Sequence, residues 1–172
     1  MCRNSVRWLY RSEQSFSWES GILINEDRVF FDASGKVRLR LIVEATGRIT
    51  VTRGYCWNGC SPKVCLVDFL FGPPDGVVHS RTGRPKTYFA SMVHDALYQF
   101  LRANSPLTRR QADGCFLQLM AASDFAPRYV YWVAVRTFGR LVWHATNRVR
   151  NWRGRGVAAS ALLESTQTFG QP

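Results

Sequence analysis

"KVRLRLIVEA", residues 36–45, decides how the first half of this chain is read. Val37, Leu39, Leu41 and Val43 alternate with Lys36, Arg38 and Arg40. Successive side chains of a strand point to opposite faces, so a period of two describes a strand with one buried face. Outward from it, "RVFFD" at 28–32 is short and apolar, and "ASG" at 33–35 supplies a turn between the two runs. On the other side, after a Thr46–Gly47 turn, "RITVTRGY" at 48–55 alternates again. A three-stranded antiparallel meander is the simplest arrangement of these runs.

From Cys56 to about residue 87 the alternation stops, and Pro62, Gly72, Pro73, Pro74, Gly76, Gly83 and Pro85 punctuate the chain. This predicts a long Pro/Gly-rich loop, turning near "PPDG" at 73–76. Beyond it the period lengthens to that of helices. One helix is predicted from about Tyr88 to Arg102. A second follows "NSPLTRRQAD", with Thr108 as its N-cap and Ala112, Cys115, Phe116, Leu119 and Met120 as its buried stripe. A third, 127–149, begins after Pro127, with Tyr131, Val135, Phe138, Val142, Ala145 and Val149 recurring at spacings of four and three. The fold class is therefore α+β: a meander within 21–55, a loop over 56–87 and three helices over 88–149. These make one domain of residues 1–150, and the segment 151–172 is expected to be a loosely ordered basic tail.

The chain of 172 residues carries a formal charge of +11 and is 46% hydrophobic. That is enough apolar material for a core, but no run of about 18 apolar residues appears, which excludes a membrane-spanning helix. The N-terminal "MCRNSVRWLYRSEQ" lacks an apolar segment, so export by a signal peptide is not expected. Five cysteines in such a chain point to reduced thiols. Cys56, Cys60 and Cys65 lack the paired C-x2-C spacing of common zinc sites. Between Ala126 and Arg155 lie seven arginines and no acid. Arg136, Arg140, Arg148, Arg150, Arg153 and Arg155 are the candidate contacts to a polyanion, whether nucleic acid, anionic lipid or an acidic protein. Nothing has the spacing of a base-reading motif, so sequence-specific DNA recognition is not supported.

Chemistry concentrates in "SMVHDALYQF", residues 91–100. His94 and Asp95 are set among residues that would pack a helix into a core, and Tyr98 follows one turn later. Asp113 interrupts the apolar stripe of the next helix. Burying such groups is costly unless they pair. A short connection makes the two helices antiparallel, and a carboxylate beside a histidine fixes its tautomer and raises its basicity. The alternatives are a general base with its orienting acid, or a satisfied polar network that fixes helix packing. A metal-dependent His–Asp phosphohydrolase would need further histidines, and only His79 and His144 remain.

"HDALY" followed by "RRQADGCF" resembles the two-helix active site of secreted phospholipases A2, in particular their small bacterial and fungal branch. "WNGCSP" at 57–62 resembles that branch's calcium loop, W-x-x-D-x-C-S/T, and "YVYWVAVRTFG" at 129–139 its closing helix. The ordered string "GYCWNGCSP … ASMVHDALY … AD … F" resembles still more a phage and bacterial domain family without a known function. That family carries G-Y-x-W-D-G-A/C-S/T ahead of H-D-x-L-Y.

The resemblance spans roughly residues 21–139. It implies a three-helix phospholipase A2-like core with His94 as the base, Asp113 as the orienting carboxylate and Tyr98 in support. It makes Asp95, the Asn58 side chain and the Gly59 carbonyl the calcium ligands. Asn58 stands where the pattern has Asp, which implies weak calcium binding. Ser91 stands where the pattern has the half-cystine that pairs with Cys60, which implies a loop not stapled to the helix. Together these features suggest a phage or prophage protein that kept the scaffold with a weak or inactive site. It would act as a virion, tail or assembly component, in the host cytoplasm and the virion, with phage structural proteins as partners. The alternatives are an active calcium-dependent phospholipid esterase and a polyanion-binding protein.

Overall fold

The alternation read in the sequence becomes a sheet because each apolar residue meets another across the strand pair. A computed structural model describes residues 9–32, 38–60, 64–66, 69–71, 75–100, 106–146 and 154–158. The elements in chain order are β1 (Tyr10–Arg11), β2 (Phe16–Glu19), β3 (Arg28–Asp32), β4 (Arg38–Val43), β5 (Arg48–Val51), β6 (Cys56–Trp57), β7 (Val64–Leu66), β8 (Phe69–Phe71), α1 (Tyr88–Phe100), α2 (Arg109–Ala122), α3 (Arg128–Thr146) and β9 (Gly154–Ala158). This is an α+β chain with an antiparallel, meander-like sheet and three helices. It divides into two compact units. One comprises the residues up to Arg11, Cys56–Asp95 and the chain from Ala112 through α3; the other comprises Ser12–Tyr55, Ala96–Gln111 and the C-terminal strand.

The sheet unit has the order β2-β5-β4-β3-β9, antiparallel throughout. Its register places Phe30 opposite Leu41, Leu41 opposite Val51 and Val43 opposite Ile49. All five side chains are fully buried, so a one-residue slip would carry the whole set to the other face. A register shift between Phe30 and Phe31 interrupts β3 and explains why its apolar run does not alternate cleanly. The C-terminal turn of α1 contributes Ala96, Leu97 and Phe100 to the core of this unit, with the Phe100 ring 5.4 Å from that of Phe30. Thr108 caps α2 as expected. Its hydroxyl accepts from the Gln111 amide at 3.3 Å, while Gln111 Oε1 accepts from the Thr108 amide at 2.8 Å, a reciprocal capping box.

The sheet departs from the expected meander at both edges. Phe16–Glu19 adds a strand against β5, with Phe16 and Trp18 facing Val51 and Ile49. Gly154–Ala158, expected to belong to a loose tail, pairs instead along β3, with Arg155 opposite Phe31. The rest of 151–172 lies outside the described residues.

In the other unit, α2 buries Ala112, Cys115, Phe116, Leu119 and Met120 as the sequence implied, and Asp113 with them. The segment 56–87, expected to be irregular, holds β6 paired to β1, the β7–β8 hairpin and a bridge between Val78 and Pro85. Helix α3 buries Val135 but exposes Tyr129, Val130 and Val133, so its outward side begins apolar rather than basic. The side chains of Phe138, Val142 and Ala145 lie outside the described residues, as does Val149. No described helix is long and apolar enough to cross a membrane.

Candidate functional site

Helix α1 delivers His94 to the interior because Met92, Val93, Ala96 and Leu97 around it are buried. The imidazole is 7% exposed and tilts against the Phe116 ring at 4.8 Å. Its Nε2 lies 3.1 Å from Asp113 Oδ1, and Asp113 is wholly buried. An ionised carboxylate oxygen can only accept, so Nε2 is the donor in this bond. Nδ1 looks toward Asp95, whose Oδ1 is 4.0 Å away, beyond hydrogen-bond reach.

A wholly buried carboxylate needs more than one partner. The second oxygen of Asp113 accepts from Arg136 Nη1 at 3.0 Å, so the network is His94–Asp113–Arg136. Arg136, one of the arginines expected to face a polyanion, is a partner of Asp113, with its side chain 36% exposed. The physical reason is the charge of Asp113, which at zero exposure requires a cation on the neighbouring helix. The Tyr98 hydroxyl, on α1, accepts from Arg109 Nε at 2.9 Å. Arg155 lies on β9. The Arg140 side chain and all of Arg148, Arg150 and Arg153 lie outside the described residues.

The Trp57–Cys60 turn is built around a residue the sequence reading passed over. Asp75 Oδ1 accepts from the Cys60 amide at 2.8 Å and Oδ2 accepts from the Tyr10 hydroxyl at 2.9 Å. The Thr87 hydroxyl, at the start of α1, donates to the Asp75 carbonyl. Burial first, and the bond to Asp75 second, push the Tyr10 hydroxyl well above its ordinary range. Gly59 has φ of 75°, and a Cβ there would overlap the Asp75 carboxylate. Backbone conformation and space both demand glycine. Asp75 stands in "PPDG", where proline and glycine make a turn reading sufficient, so nothing in the sequence singled it out.

Ser91, which the resemblance sets in place of a half-cystine, ties the turn to α1 by hydrogen bonds. Trp57 Nε1 donates to Ser91 Oγ at 3.1 Å, and the Ser91 hydroxyl reaches the Tyr88 carbonyl at 3.1 Å. Tyr10, Trp57 and Tyr88 close over this tie, with ring centroids 4.9–5.5 Å apart. As expected, no disulfide staples Cys60 to the helix; a polar tie through Ser91 is present in its place. Cys60 and Cys115 are buried and form no disulfide, in line with the expected reduced thiols, but Cys56 is disulfide-bonded and departs from that expectation.

Asn58 adds one more feature to the turn. Its Oδ1 is buried and has no hydrogen-bond partner among the described residues. An orphaned buried acceptor is costly, and a cation or a bound donor would satisfy it. Asn58 Oδ1, the Gly59 carbonyl and the Asp95 carboxylate are all hard oxygen donors, the chemistry calcium takes. No family model matches the chain, and neither a curated protein nor a solved structure matches it.

Proposed function

We propose that this chain carries a phospholipase A2-like His–Asp site of weak hydrolytic power and serves as a virion, tail or assembly component of a phage or prophage. The observation that carries the weakness is the guanidinium on Asp113. A general base works by becoming charged in the transition state, and its carboxylate partner stabilises that charge. In this site the carboxylate is already shared between His94 and Arg136, so its second oxygen is committed to another partner. Asn58 in place of an acid removes further charge from the calcium loop. Calcium, when bound, would polarise an ester carbonyl, and Asn58, Gly59 and Asp95 are the residues that would hold it. The phage setting rests on the ordered sequence motifs.

The second reading is an active calcium-dependent phospholipid esterase. It is favoured by the 3.1 Å bond that orients the imidazole from Nε2 and sets Nδ1 on the Asp95 side. One experiment separates the two. Mixed phospholipid vesicles are incubated with the full chain at zero and millimolar calcium, beside His94→Ala. The proposal expects no calcium-dependent release of fatty acid above the variant. Release that requires calcium and disappears in His94→Ala would overturn it in favour of the enzyme. For the role in assembly, the protein should co-purify with particles. Retention of a particle-bound fraction after Arg148, Arg150, Arg153 and Arg155 are all changed to Ser would argue against a polyanion contact through that segment.

A further inference from the structure

We propose that Asp75 is a positioning residue for the cation loop: it pins the Gly59–Cys60 peptide by its amide and so aims the Gly59 carbonyl as an oxygen ligand for a divalent cation such as calcium. This rests on the reading of Asn58 and Gly59 as a cation loop and adds to it a residue outside the motif.

The geometry follows from one peptide plane. In a trans peptide the N–H and the C=O point in opposite directions. The Cys60 N–H is fixed on Asp75 Oδ1 at 2.8 Å, so the Gly59 carbonyl of the same peptide is turned away from Asp75. Asp75 is therefore not a ligand beside that carbonyl; it holds the peptide from behind. The carboxylate itself has little freedom. Tyr10 holds its other oxygen, Thr87 holds its backbone, and the absence of a Cβ at Gly59 lets it approach.

The charge matters as well as the geometry. A carboxylate accepting from an amide polarises the peptide, which makes the carbonyl on its far side a stronger oxygen donor. This partly offsets the charge that Asn58 lacks. The orphaned Asn58 Oδ1, one residue earlier, is the second observation that points to a ligand at this turn. Residues that orient a metal ligand from behind typically change metal affinity by about 10–100-fold when replaced.

The test is calorimetric titration of the full-length protein with calcium chloride, in parallel for wild type, Asp75→Asn and Asp75→Ala. Each is measured well below its own melting temperature, with circular dichroism as the check of folding. Asp75→Asn keeps an oxygen for the Cys60 amide while removing the charge and the oxygen that accepts from Tyr10, so it carries the test should Asp75→Ala fail to fold. The expected result is a loss of about tenfold or more in calcium affinity in Asp75→Asn, and a larger loss in any folded Asp75→Ala protein. Wild-type affinity in Asp75→Asn overturns the assignment of Asp75 and leaves the cation loop standing. A wild-type protein that takes up no calcium overturns both.

Discussion

Replacing Asp113 with alanine should be among the most damaging single changes to this chain. The carboxylate has no exposure and joins two donors, His94 Nε2 at 3.1 Å and Arg136 Nη1 at 3.0 Å. The imidazole, at 7% exposure, would be left with an unsatisfied N–H worth about 1–3 kcal/mol. The Arg136 side chain is 36% exposed and can turn toward water, so its loss is nearer 1 kcal/mol than the 3–5 kcal/mol of a fully buried pair. Together these give a destabilisation of about 2–4 kcal/mol, or roughly 5–15 °C in melting temperature for a chain of this size. Urea denaturation of wild type, Asp113→Ala, Arg136→Met and the double variant provides the assay. The two single changes should be non-additive by at least about 1 kcal/mol, because they share one contact. Additivity within about 0.5 kcal/mol, or a loss below about 1 kcal/mol in Asp113→Ala, would refute the three-residue network.

Four further outcomes follow from individual positions. Gly59→Ala should cost about 2–4 kcal/mol, combining a left-handed backbone with overlap on the Asp75 carboxylate, and thermal melting would show it. Thr108→Ala removes one side of the capping box and should cost about 1 kcal/mol, while Thr108→Asp should hold stability. Gly114→Ala in α2 should stabilise by roughly 1 kcal/mol, since a Cβ there meets nothing within 4 Å. Burial pushes the Cys115 thiol up to about 11, so the folded state keeps a proton that the unfolded chain releases near 9. That stabilisation is complete below pH 9 and is lost as pH rises toward 11. Urea midpoints at pH 8 and pH 10.5 under reducing conditions should therefore differ more in wild type than in Cys115→Ala.

The parts of the fold legible in the sequence are those written as local periods. Leu41 and Val43 alternate with polar neighbours, and α2 repeats its apolar stripe behind a Thr-x-x-Gln cap, so strand and helix could be read where they stand. Phe16–Glu19 and Gly154–Ala158 could not. The first is four residues long. The second is a Gly- and Arg-bearing strand whose pairing with β3 reaches across more than a hundred residues. Within the site, His94 and Asp113 were readable because an ionisable residue in an apolar stripe demands a partner. Arg136 was hidden inside a run of arginines whose common sign suggested a common target. Asp75 was hidden for the opposite reason, since an aspartate between proline and glycine is already accounted for by turn chemistry. The Cys56 disulfide was missed because the odd cysteine count and the expectation of a chain that is not exported both argued for thiols.

The division of the chain bears on how this protein can come apart. Helix α1 passes from one compact unit to the other between Asp95 and Ala96, and α2 returns between Gln111 and Ala112. Neither unit is a continuous length of chain, so neither can be cut free as a module or lost alone in evolution. A proteolytic nick within either helix would damage both units at once. Domain-by-domain folding during synthesis is closed to such a topology, because β3 of the sheet unit waits for β9, more than a hundred residues further along the chain. Heating should accordingly give one calorimetric transition rather than two.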